Sequence, residues 1–165
     1  MPTELEKLGY SISPISKTVT PFETWLGSSI KEWTITIQLL TTGEQMEMAR
    51  SISNDSPAVL MFSSKIHLLA FSIKAINNQP VITDEQLKQY RNDNKTDENF
   101  TIHDYVVLFL KKLPTQAIDA LTIAYDNLQN EYAAKLLGVP LPDALKIKTS
   151  IDAGLINESP NKKGN

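Results

Sequence analysis

A chain of 165 residues, 41% hydrophobic and 21% charged, has the make-up of a globular protein rather than a disordered or collagen-like one, and its length suits one core burying roughly 70% of the surface exposed on unfolding. The absence of cysteine rules out a disulfide frame, a thiol nucleophile and a thiolate metal site, which leaves a reducing cytosol as the default setting. A formal net charge of −3 and a pI near 5.4 give no global attraction to nucleic acid or anionic lipid, so protein partners are favoured.

Residues 1–20 mix Ser, Thr and Pro without a steady period, and Pro2, Pro14 and nearby Pro21 interrupt helices, so an extended arm is expected. Its opening has neither the basic flank nor the apolar run of a secretory signal. From Phe22 to Leu40 the pattern changes to Phe22, Trp25 and Leu26, a Gly27-Ser28-Ser29 turn, and a segment with apolar residues at every second position from Trp33 to Leu39. This predicts a β-hairpin over 22–40. Because an isolated hairpin is marginal in water, the face carrying Trp33, Ile35, Ile37 and Leu39 must lie on helices or on another chain.

Thr41-Thr42-Gly-Glu44-Gln45 holds two overlapping capping boxes and predicts a helix from about Gly43 that turns Met46, Ala49 and Ile52 inward. Ser56 and Pro57 then start the strongest element. Val59, Phe62, Ile66, Leu69, Ile73 and Ile76 keep one apolar stripe along it, and Asn77-Asn78-Gln79-Pro80 stops it. The serines, Lys65, His67 and Lys74 along this stretch argue against a membrane span. Thr83 with Gln86 starts a short polar helix, and Thr101 with Asp104 starts an apolar one that Pro114 breaks. The last long helix carries Ile118, Leu121, Tyr125, Leu128, Tyr132 and Leu136 on one face and meets a C-cap at Gly138. A small helix over 143–153 and a polar tail over 154–165 complete the chain. The expected class is therefore mainly α with a small N-terminal β-hairpin (α+β), in a single domain over 21–153 flanked by the arm and the tail.

Candidate chemistry is sparse. His67 and His103 lie on different predicted helices and would ligate a metal only by converging with a carboxylate such as Asp104, so they read as surface or boundary histidines. His103 and Asp104 lack a Gly-x-Ser-x-Gly turn that would present a nucleophile for a triad. Asp84 with Glu85 suits a helix N-terminus, and Asp97 with Glu98 a solvated loop, better than either suits acid/base work. The glycines are isolated, so no phosphate-cradling loop forms, and the basic pairs Lys111-Lys112 and Lys162-Lys163 lack interleaved aromatics. No catalytic residue, metal ligand or cofactor site is assigned. Phe22, Trp25, Leu26, Trp33, Ile35 and Ile37 are the candidate partner-binding residues, with burial beneath the helices as the competing reading.

The stretch Trp33-Thr-Ile-Thr-Ile-Gln-Leu-Leu-Thr-Thr-Gly-Glu-Gln45, then a short helix and a long one closing in Lys74-Ala-Ile-Asn-Asn-Gln-Pro-Val81, resembles the opening of tailed-bacteriophage tail and baseplate assembly proteins. In that group a strand of the type apolar-x-apolar, x-Leu-Thr-x-x-Glu precedes helices, the second of which often closes with an Ile-Asn-x-x-Pro-Val turn. The resemblance covers residues 22–82. It implies a non-enzymatic assembly chaperone that binds a tail or baseplate-hub protein in the host cytoplasm, or else a structural component retained in the virion tail. Neither implies nucleic acid or membrane as a partner, and a homo-oligomer formed through the hairpin edge is left open.

Overall fold

In the computed structural model, which describes residues 1–11, 14–25 and 29–138, the described residues form a small antiparallel sheet and a larger set of helices, a mainly α member of the α+β class. Contacts divide the chain into two units, Met1–Asp126 and Asn127–Asn165. Leu26, the Gly27-Ser28 turn, the expected helix over 143–153 and the tail over 154–165 lie outside the described residues.

In the first unit the sheet has the order β1(Ser16–Val19), β2(Ile35–Gln38), β3(Ile73–Ile76), β4(Gln79–Pro80), every neighbouring pair antiparallel. The predicted alternation of β2 holds, with Ile35 and Ile37 buried beneath half-exposed Thr36 and Gln38. Its partners differ from the expected hairpin. β1 comes from the supposed arm, Val19 facing Ile35 and Ser16 facing Gln38, and the Thr18 and Thr36 hydroxyls meet across the pair at 3.0 Å. The other partner, β3, comes out of the predicted long helix. With strands on both sides, the backbone groups of β2 are satisfied along both edges, which a lone hairpin could not achieve.

The arm is corrected a second time by α1(Glu4–Ser11), whose N-terminus is fixed by a reciprocal Thr3 and Glu6 capping box. Of the two boxes before the next helix, the fold uses Thr41 with Glu44, and α2(Thr42–Ile52) follows. α2 buries none of its residues, contrary to the inward placement of Met46 and Ala49. It packs on α3(Pro57–Ser72), which buries Ile66, Leu69 and Ala70 but leaves Val59 and Phe62 about half exposed, so the predicted stripe works only in its second half. At Ile73 the backbone becomes extended (φ −76°, ψ 115°). Asn77 and Asn78, at φ 50° and 60°, then turn the chain into β4. Ion pairing between Lys74 of β3 and Glu44 of α2, at 3.2 Å, joins sheet to helix.

α4(Asp84–Asn94) and α5(Ile102–Leu110) begin at the predicted Thr83/Gln86 and Thr101/Asp104 boxes. Their connection is fixed by the Arg91 guanidinium, which donates to the Phe100 carbonyl, and by Tyr90, stacked on Phe100 at 5.6 Å. α6(Thr115–Leu137) buries Ala117, Ile118, Leu121 and Tyr125 in the first unit. In the second unit Leu128 is buried and Leu136 exposed, and the helix ends at Gly138, whose φ of +64° is the left-handed conformation that a C-cap glycine adopts without strain.

Candidate functional site

The link between β1 and β2 carries the aromatic residues and folds into two local turns. The Phe22 carbonyl accepts the Trp25 amide at 2.9 Å, and the two rings meet edge to face at 5.6 Å. A 3-10 turn over Ser29–Glu32 follows, in which the Ile30 carbonyl accepts the Trp33 amide at 3.0 Å. These turns bring Phe22, Trp25, Ile30 and Trp33 around one cavity of about 130 Å³. Ile35 of β2 with Ile73 and Ile76 of β3 line it from the sheet, Val106, Phe109 and Leu110 from α5, and Ala117 and Leu121 from α6.

Every lining residue is apolar or aromatic. A space of this kind, close to the ~150 Å³ of an apolar cavity that stays dry and admits benzene, offers nothing to water and accepts one apolar group. Two of the lining residues, Trp33 and Phe109, are themselves 41% and 43% exposed. Large aromatic side chains left half-uncovered beside an apolar hollow are the groups whose burial contributes most when a partner binds.

Four of the sequence candidates, Phe22, Trp25, Trp33 and Ile35, are thus gathered into one place. They divide by burial. Trp33 is open and Trp25 half-buried, whereas Phe22 and Ile35 are buried and serve as wall. Ile37 is the exception: at 0% exposure it belongs to the core and offers no contact surface, because the β2 face that it shares with Ile35 is covered. Leu26 lies outside the described residues. Sequence reading missed Phe109, Leu110, Leu113 and Ala117 as site residues: the first three read only as part of the apolar helix that Pro114 breaks, which does not indicate which part of a core is open, and Ala117 was not singled out.

Polar chemistry around the fold is limited. The carboxyl of Glu44 sits below its ordinary range: burial works against this, and the Thr41 amide with the Lys74 ammonium outweighs it. Lys65 and Asp119 pair at 2.7 Å on a half-exposed surface. His67 and His103, read as separate boundary residues, meet at 3.0 Å. Among the described residues no group of three or more His, Asp or Glu could hold a metal ion, and no helix is long and apolar enough to cross a membrane. Comparisons with protein-family models, curated proteins and solved structures find no match to this chain.

Proposed function

We propose that the protein is a non-enzymatic binding module that receives an apolar side chain of a partner protein in the cavity beside Trp33, and that it acts as an assembly chaperone for a tail or baseplate-hub protein of a tailed bacteriophage in the host cytoplasm. The observation that carries the binding role is the convergence of Phe22, Trp25, Trp33 and Phe109 on one wholly apolar, accessible cavity. The phage assignment is supported by the strand-to-helix resemblance of residues 22–82. A small socket with a half-exposed aromatic rim suits recognition of one sticky element before it is buried in a larger assembly, the situation of a tail protein awaiting incorporation.

The test is co-expression with the tail and hub proteins of the same phage, with binding read by calorimetry. Trp33→Ala should weaken binding by about 2 kcal/mol or more, the hot-spot scale, while moving the melting temperature little because Trp33 is already substantially exposed. Loss of folding without a separable binding defect would count against the reading. A mass-spectrometric inventory of mature particles separates the two roles: absence fits a chaperone, whereas a fixed, symmetric copy number makes the protein a structural component of the tail.

A further inference from the structure

His67 of α3 and His103 of α5 place Nδ1 and Nε2 3.0 Å apart, with ring centroids separated by 5.1 Å and planes inclined by 30°. The centroid separation exceeds the nitrogen separation by close to two ring radii, so the two nitrogens point at each other along the line of centres. That alignment suits one N–H···N hydrogen bond. A shared metal ion would instead need both lone pairs aimed at a third point, and no third ligand joins them among the described residues. Phe71 stacks on His103 at a centroid distance of 3.9 Å, and the remaining nitrogen of that ring, Nδ1, is buried without a hydrogen-bond partner.

We propose that this imidazole pair is an acid-sensitive latch between α3 and α5, most stable while both rings are neutral and destabilised when either takes up a proton. Because His103 Nδ1 faces no acceptor, the ring's proton belongs on Nε2, and the bond runs from His103 Nε2–H to the bare Nδ1 of His67. A proton added at His67 Nδ1 removes the acceptor and sets two donors face to face. A proton added at His103 Nδ1 leaves the bond to His67 in place but creates a buried, charged N–H with nothing to receive it. Each route costs the folded state and neither costs the unfolded chain.

Several neighbouring groups act on this balance. Lys111, at the C-terminal end of α5, opposes charge on His67; Asp55, in the turn before α3, favours it, and Asp104 favours charge on both rings although its carboxylate is already bonded to Thr101. The face of Phe71 also favours a cation on His103. Burial is the largest influence, and both rings are held below the ordinary 6.5. The unfolded chain therefore binds protons first as pH falls. The stabilisation is complete above 6.5 and drains away between that value and the lower folded pKa values. Val106, Phe109 and Leu110 of α5 line the apolar cavity, so release of α5 also loosens one of its walls, whatever the cavity binds.

The intact protein supplies the test. Side-chain nitrogen NMR at neutral pH should find His103 protonated at Nε2 and bare at Nδ1, with both rings titrating below the ordinary value. From about pH 7.5 to about pH 5, amide protection in α5, corrected for intrinsic exchange, should fall about tenfold for each unit by which folding lowers a histidine's pKa. His67→Asn, whose Oδ1 can accept from His103 without titrating, should lose much of that response. Ordinary titration of both rings with flat α5 protection overturns the latch, and so does an unchanged acid response in His67→Asn. Should that variant fail to fold, the wild-type titration and exchange data still decide the matter.

Discussion

Tyr125 illustrates how a single polar atom is accommodated in an apolar interior. Its ring is buried on α6, its hydroxyl accepts the Leu40 amide at 3.4 Å, and burial raises its pKa, so the phenol stays neutral. Leu40 closes the segment after β2 and is itself buried, so its N–H has no recourse to solvent. Tyr125→Phe should therefore destabilise the protein by about 1 kcal/mol through the orphaned amide, toward the lower part of the usual range because the bond is long. Urea unfolding measures this directly. A variant as stable as the wild type would mean that the Leu40 amide finds another acceptor. The same logic separates the aromatic candidates: Phe22 and Ile35 hold the fold, whereas Trp33 has accessible surface left to offer a partner.

At the scale of elements, the turn between β3 and β4 tests how the sheet is specified. Asn77 and Asn78 both have positive φ, the requirement of a tight two-residue hairpin turn, which glycine meets more easily than asparagine. Only Asn77 has a second task, its Oδ1 accepting the Thr34 amide at 2.9 Å beside β2. Asn78→Gly should therefore raise stability by about 0.5 kcal/mol, while Asn77→Gly should gain nothing because the same relief is offset by the lost bond. Equal melting temperatures for the two variants would show that the bond to Thr34 contributes no stability. This turn also marks where sequence reading stops. The starts of α2, α4 and α5 were legible because each carries a Thr with Glu, Gln or Asp three residues later, a wholly local signal. Thr3 and Glu6 carry it too, and the proline-rich surroundings obscured it. β3 was illegible because Ile73 and Ile76 satisfy helical spacing as well as strand propensity, and the choice is made by β2, nearly 40 residues earlier in the chain. β1, with the polar sequence Ser-Lys-Thr-Val, has no alternation of its own and exists through pairing. The cavity followed the same division: its aromatic rim was visible as a cluster, while its helical walls are supplied by residues more than 70 positions away.

On the scale of the whole molecule, the distribution of apolar surface is the unusual property. Val59, Leu60, Met61 and Phe62 occupy consecutive positions in the first turns of α3 and are all 40% exposed or more, and Met46 of α2 is 54% exposed. Four neighbours covering a full turn point in every direction around the helix, so periodic burial cannot hide them all, and α2 contributes no buried residue to the cover. A formal net charge of −3 spread over 165 residues provides little repulsion to oppose attraction between such surfaces. The double variant Val59→Gln and Met61→Gln should consequently keep its unfolding free energy within about 0.5 kcal/mol of wild type, since Gln suits a helix at least as well as Val and neither side chain is fully buried. Static light scattering should at the same time show weaker self-attraction in the variant than in the wild type. A stability loss above roughly 2 kcal/mol would instead put the first turns of α3 within a packed interior, because that is the cost of emptying a filled core site; unchanged scattering with unchanged stability would mean that solution behaviour is governed elsewhere on the surface.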